Sequence, residues 1–183
     1  MKSKDVITMR NELLDRMVEE FHDTFIPAVR NETEDPEAPG IVRAILDQIG
    51  GDEGDAEGVI GEFFFSPMSS EDDEVHVFNA MMTISDQVPE DNLPAFFEAM
   101  SYINFHIPLG CFAYDKDHNY FCFRLSVSIP MNFDKEAIYG LMSAAAANAA
   151  RVTDNYMQVL LDVAENKFSV DEVMDILGGR REK

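Results

Sequence analysis

The stretch from Leu93 to Phe133 constrains the fold of this chain more than any other, because it joins a helical pattern to a strand pattern through a short turn. In residues 93–107 apolar side chains recur at intervals of three and four, which is typical of an amphipathic helix. In residues 120–129 they alternate with polar side chains, which is typical of a strand with one buried face. The segment therefore predicts a helix followed by an antiparallel hairpin, with helices covering one face of the sheet.

A second hairpin is predicted upstream of this segment. Residues 59–66 and 75–85 are rich in aromatic and aliphatic side chains, and a polar turn separates them. Both carry apolar side chains on both faces, so we expect them nearer the centre of the sheet than the later hairpin. The two hairpins together supply four strands of an antiparallel sheet.

The N-terminal part of the chain is predicted to be helical. Apolar spacing predicts a long helix over residues 4–26. A shorter helix is predicted over residues 41–49, where three isoleucines recur at intervals of four: Ile41, Ile45 and Ile49. The acidic, glycine-rich residues 50–58 look like a connection. The predicted organisation is a helical extension over residues 1–56 and an α+β domain over residues 57–183, together forming one compact unit.

The C-terminal part is also predicted to be helical. An apolar stripe runs through residues 134–165, and Asp134 can cap the first turn. The centre of this helix, residues 143–150, reads Ser-Ala-Ala-Ala-Ala-Asn-Ala-Ala, and we expect it to cross a sheet or a helix at close range. Ser169 and Glu172 form a capping box that opens a last short helix.

The charge of the chain narrows the classes of partner. It has 35 acidic and 14 basic residues, a net charge of −21. Binding to a phosphate backbone or an anionic membrane requires clustered Lys and Arg, so neither is an expected partner. Neither Lys nor Arg occurs between Ala44 and Asp115. This gap indicates either a well-solvated surface or a docking face for a basic protein.

No motif in the chain carries a specific chemistry. The four histidines form no short metal pair with each other or with a cysteine. Residues 115–119 resemble the start of a calcium loop, but Tyr120 and Ser126 stand where glycine and glutamate are needed, so a hairpin turn is predicted instead. We therefore predict no catalytic residues, no metal site and no cofactor.

The hairpin also predicts where the two cysteines lie. Phe112 should share a face with Phe121, and pairing these two places Cys111 opposite Cys122. We expect both thiols to be reduced in the cell, with a regulatory disulfide as the alternative. Their side of the hairpin is the non-core face, which is the candidate partner-facing surface: Cys111, Cys122, Arg124, Ser126 and Ser128.

The sequence from Leu93 to Pro130, followed by a long helix, resembles the bacterial YbjN-like family of sensory transduction regulators. The resemblance rests on the helix with Asn104 near its end, the Gly110-Cys111-Phe112 entry to a strand, the acidic turn and the closing helix, and spans roughly residues 75–165. It implies a type III secretion chaperone-like α+β fold, with an antiparallel sheet of four to five strands and helices mainly on one face. It supplies no catalytic or binding residues.

The resemblance further implies a small acidic homodimer that binds other proteins. Two cysteines, and an N-terminus without the apolar stretch of a signal peptide, indicate a reducing cytosol, so a bacterial cytoplasmic protein is expected. The function predicted on this basis is a non-enzymatic protein-binding module, chaperone-like or regulatory. One alternative is an acidic, immunity-type inhibitor of a basic toxin or nuclease, which the charge gap would suit. A metal-dependent enzyme is a third hypothesis, which the missing motifs disfavour.

Overall fold

A computed structural model of the chain describes residues 3–31, 40–49, 58–67, 74–84 and 87–178. Its helices are α1 (Ser3–Asp23), α2 (Leu93–His106), α3 (Lys135–Ala164) and α4 (Val170–Gly178). Its strands are β1 (Ala28–Asn31), β2 (Ile41–Leu46), β3 (Val59–Phe65), β4 (Val75–Ile84), β5 (Cys111–Asp115) and β6 (Tyr120–Pro130). None of the described helices is long and apolar enough to cross a membrane.

The strands form one antiparallel sheet in the order β1-β2-β3-β4-β6-β5. The α+β class and both predicted hairpins are confirmed, and β3 and β4 lie at the centre as expected. The sheet has six strands, not four to five, because β1 and β2 extend it beyond β3.

The predicted helix over residues 41–49 is wrong, because residues Ile41–Leu46 form strand β2. Val42 and Ala44 are buried, while Arg43 and Ile45 point the other way. An interval of four residues fits both a helical face and the two-residue repeat of a strand, so the isoleucine spacing could not decide between them. The high content of β-branched side chains favours the strand.

The first 56 residues are therefore not a purely helical extension. Strand β2 pairs along its length with β3, from Ile41 with Phe64 to Leu46 with Val59, so the sheet is continuous across the predicted boundary. Residues 50–57, where that boundary was expected, lie outside the described part of the chain. The buried core also runs from α1 to α4.

The helices lie against one face of the sheet. Helix α1 packs on β1, β2 and β3, α3 crosses β4 and β6, and α2 packs on β5 and α3. Between them and the sheet lies a core whose largest fully buried side chains are phenylalanines: Phe63, Phe65, Phe78, Phe96, Phe121 and Phe123. The alanine-rich centre of α3 buries Ala145 and Ala149, which confirms that this segment crosses the sheet.

The helix ends follow local rules, with two exceptions. Asp134 accepts a hydrogen bond from the Ala137 amide, and the Ser169–Glu172 capping box is present, as predicted. Asn92 does not cap α2 with its side chain. Its amide donates instead to the Ala164 carbonyl at 2.7 Å and so ties the start of α2 to the end of α3. The end of α1 places Phe25 at φ 62°, a conformation more usual for glycine, with its ring 95% exposed.

Candidate functional site

One face of the sheet is not covered by any described helix. We call it the open face. Six strands about 4.8 Å apart, with an average length of about seven residues at 3.3 Å per residue, give it dimensions of roughly 29 by 24 Å. The strand register places these residues on it: Val29, Asn31, Ile41, Arg43, Ile45, Ile60, Glu62, Phe64, Val75, Val77, Asn79, Met81, Thr83, Cys111, Ala113, Asp115, Tyr120, Cys122, Arg124, Ser126, Ser128 and Pro130.

Three of the four most exposed aliphatic side chains of the open face lie on its β1–β3 half, and the fourth, Val75 of β4, is 52% exposed. Val29 is 59% exposed, Ile45 is 52% exposed and Ile60, directly opposite Ile45, is 41% exposed. Ile41 and Phe64, also opposite each other, are half-buried. Exposed aliphatic side chains clustered in this way mark a surface suited to contact with another molecule.

The charges of the open face balance one another. Arg43 and Glu62 are cross-strand neighbours, and their side chains form an ion pair with Nε and Oε1 2.8 Å apart. Among the described residues of this surface, the other two that carry charge are Arg124 near the middle of β6 and Asp115 at the end of β5. The open face is therefore close to neutral, whereas the whole chain carries −21.

A polar network joins β3, β4 and β6 on the open face. The Asn79 side chain donates to the Ser66 hydroxyl at 2.9 Å and accepts from the Ser126 hydroxyl at 2.8 Å. Asn79 is buried although no described helix covers it, because its neighbours on the adjacent strands shield it. A satisfied buried amide fixes the side chains around it, so Ser126 is held in one orientation.

The predicted cysteine pairing is wrong by two residues. Phe112 pairs with Phe123, so Cys111 lies opposite Arg124, and Cys122 lies opposite Ala113. The turn explains the shift: the Asp115 carboxylate accepts from the amides of residues 117 and 118 at 2.9 and 3.1 Å, which requires a longer loop than the predicted register allows. A shift of two residues keeps both cysteines on the open face.

The predicted site residues differ in accessibility. Arg124, Ser126, Ser128 and Cys111 are exposed, whereas Cys122 is only 5% exposed between the neighbouring strands. Burial raises the pKa of the Cys122 thiol to about 11. Both cysteines are free thiols.

The two edges of the sheet are partly closed by side chains. At the β5 edge, the Asn104 amide donates to the Phe112 carbonyl at 3.0 Å, and its oxygen accepts from the Phe112 amide at 2.7 Å. One side chain thus makes both bonds that a neighbouring strand would make with that residue. At the β1 edge, the Ala28 carbonyl lies 2.8 Å from Nε2 of His22. The sequence placed Asn104 near the end of its helix but gave no signal of this contact.

The described residues contain no group of three or more His, Cys, Asp or Glu arranged to hold a metal ion. The nearest such contact is His118 with Asp115, Nδ1 to Oδ2 3.0 Å, at the exposed hairpin turn. The hydrogen bond from His118 is the main cause that lowers the pKa of the Asp115 carboxyl. This pair stabilises the turn, and its exposure is typical of a structural contact.

No model of a known protein family matches the chain, and a search of curated proteins finds no significant relative. The resemblance to the YbjN-like family gains no support from these comparisons and stays a prediction, as does the type III secretion chaperone-like assignment of the fold.

Proposed function

We propose that this protein is a non-enzymatic, protein-binding module, chaperone-like or regulatory, whose open face takes up a polypeptide partner. The observation that carries the proposal is the contrast between a wide, nearly neutral, partly apolar surface and the −21 charge of the whole chain. This surface matches in scale one side of an ordinary protein–protein interface.

The partner is expected to bind across the face and not along the edge of the sheet. Strand addition needs free backbone groups at an edge. At β5, the amide and carbonyl of Phe112 are already occupied by Asn104. We therefore favour a partner that lays a mixed apolar and polar surface on Ile45, Ile60 and Arg124.

The proposal includes a homodimer. Gly140, Leu141 and Ala144 lie on the exposed side of α3, and small side chains there allow a second helix to approach closely. A two-fold pairing of this surface would leave both open faces free for partners. Light scattering after size exclusion tests it. At tens of micromolar, a mass near twice the 20.6 kDa of the chain is expected, and a monomer would contradict this part of the proposal.

A native pull-down with matched variants tests partner binding. Ile60→Lys puts a charge in the middle of the apolar half of the open face, whereas Ile176→Lys makes the same change at an exposed isoleucine of α4. Quantitative mass spectrometry should show partners lost with Ile60→Lys and kept with Ile176→Lys. If both variants retain the same proteins as the wild type, the open face is not the binding surface.

The acidic-inhibitor alternative predicts a different salt response. Docking of a basic toxin or nuclease would weaken strongly as salt rises, because it would depend on long-range attraction to the acidic chain. Binding on the nearly neutral open face should change little over the same range. Repeating the pull-down at low and high salt separates these two functions.

A further inference from the structure

A cavity lies on the helix side of the molecule, away from the open face. It has a volume of about 270 Å³ and opens to solvent between α1 and α3. Phe63 and Leu46 of the sheet form its floor, Met17 and Phe21 of α1 form one wall, and the alanine-rich part of α3 forms the other. The walls and the floor are therefore mainly apolar.

The cavity exists because α3 presents small side chains where larger ones would close the gap. Ala146, Ala147 and Ala150 all line it, and a leucine at any of them would occupy part of the space. Ala146 is buried, whereas Ala147 is exposed and lies at the mouth.

The polar side chains beside the cavity pair with one another. The Glu20 carboxylate lies 3.4 Å from Nε of Arg16 and forms a hydrogen bond with the Tyr139 phenol. Nη1 of Arg16 also bonds both carboxylate oxygens of Glu136, at 2.8 and 2.9 Å, and the guanidinium lies 4.0 Å from the centre of the Tyr139 ring. Burial, followed by the hydrogen bond with Glu20, raises the pKa of the Tyr139 phenol to about 12, so this side chain is neutral at physiological pH.

The two aliphatic hydroxyl groups of the lining are bonded as well. Ser143 is hydrogen-bonded to the Tyr139 phenol, and the Thr24 hydroxyl lies 3.1 and 3.0 Å from the backbone carbonyls of Glu20 and Phe21. Among the described lining residues Glu20 alone carries a charge, and Arg16 already pairs with it. A charged ligand would therefore lose hydration against apolar walls without meeting an uncompensated counter-charge, whereas a neutral ligand avoids that cost.

The size and the walls of the cavity define the ligand further. An apolar cavity of about 150 Å³ holds a benzene ring, so one of this volume takes roughly ten non-hydrogen atoms. A polypeptide helix, with a diameter of about 10 Å, is too large for it. The rings of Phe21 and Phe63 line the cavity with their centres 5.3 Å apart, and aromatic rings pack favourably against one another.

We propose that this cavity is a binding site for a small, neutral aromatic molecule, whose ring packs against Phe21, Phe63 and the alanines of α3. Removal of apolar surface from water supplies the binding free energy. A ligand with so few atoms is expected to bind with a Kd on the order of 1 mM. The site is separate from the open face, so the two proposals stand or fall independently.

Three aromatic probes of nearly equal size test the proposal: neutral indole, anionic benzoate and cationic benzylamine. Titrations of the full-length protein followed by two-dimensional NMR give Kd values and locate the binding site. Physiological salt screens the general attraction of a cation to the −21 chain. Indole should bind at least about tenfold more tightly than either charged probe, and the shifted amides should include those of residues 146, 147 and 150.

A matched pair of variants then tests the cavity itself. Ala147→Leu should fill the mouth and weaken indole binding at least about tenfold, whereas Ala137→Leu, at an exposed position of α3 outside the cavity, should not. The ranking of the probes and the map of shifts come from the wild-type protein, so they decide the question even if a variant fails to fold.

Four results would each overturn the proposal. Indole could fail to bind at about 10 mM, either charged probe could bind as tightly as indole, or the shifts could map away from α1 and α3. A folded Ala147→Leu variant that binds indole as tightly as the wild type would show that the ligand lies outside the cavity.

Discussion

The covered face of the sheet carries phenylalanines such as Phe63, Phe78 and Phe121 against the helices, whereas the open face of the same strands alternates isoleucine and valine with arginine, glutamate and serine. The difference follows from the two-residue repeat of a strand, which lets each face evolve separately. The covered face supplies most of the apolar burial that stabilises the fold. The open face can therefore change its composition with little effect on the stability of the fold.

The largest effect is expected when buried and exposed side chains on the two faces of the sheet are truncated and the losses of stability are compared. Phe96→Ala and Leu125→Ala should each lower the free energy of unfolding by about 2–5 kcal/mol, because both side chains are buried in the core. Ile60→Ala on the open face should cost less than about 1 kcal/mol. Denaturant midpoints measure all three. Equal losses on the two faces would mean that the open face is covered in solution.

Asn104 provides a test of how the β5 edge of the sheet is stabilised. Replacing it with alanine removes both bonds to Phe112, so the free energy of unfolding should fall by about 2 kcal/mol. Asn148→Ala, which removes an exposed contact with Arg151 within one helix, should cost less than about 0.5 kcal/mol. Hydrogen exchange of the Phe112 amide should accelerate in the first variant alone. An unchanged exchange rate would show that Asn104 does not protect this edge.

The two cysteines of the open face differ in exposure, so their labelling rates should differ as well. Iodoacetamide at pH 8 should label the exposed Cys111 well before the buried Cys122, whose pKa of about 11 keeps it protonated. Because the thiol has a higher pKa in the folded protein, the unfolded chain loses this proton first, and stability should fall as the pH rises above about 9. Mass spectrometry of labelled peptides measures the rates. Equal rates would place Cys122 at an accessible position.

The smallest expected effect is that of the ion pair on the open face. Glu62→Gln should change the free energy of unfolding by less than about 1 kcal/mol, because Arg43 is half exposed and such pairs contribute little. The same substitution should alter partner capture if the charge balance of the face matters. A large loss of stability without any change in binding would contradict this assignment, because Glu62 would then contribute to the stability of the fold and not to binding.

The sequence predicted those elements whose patterns are local. Alternation identified β6, apolar spacing identified α2, and Ser169 with Glu172 marked the start of α4. It failed where one pattern fits two structures, as with the isoleucines of β2.

Features that apolar patterning does not encode could not be predicted. The register of the β5–β6 hairpin depends on the hydrogen bonds of Asp115 in the turn, and apolar alternation fits either register. The faces of Arg124, Ser126 and Ser128 were predictable, but the pairing of Asn79 with Ser126 joins residues far apart in the chain. The cavity between α1 and α3, which is lined by Met17, Phe63 and Ala147 among others, likewise depends on three elements: α1, the sheet and α3.

The contact between Asn104 and Phe112 also bears on strand pairing between molecules. A side-chain amide has the same donor and acceptor as a peptide bond. Asn104 therefore occupies the hydrogen-bonding groups of Phe112 that an added strand would use. Without it, β5 of one molecule would present a free template to any extended strand, including one from an identical molecule. One side chain thus blocks, at one residue of β5, the strand pairing through which a sheet with an exposed edge can extend into a fibre.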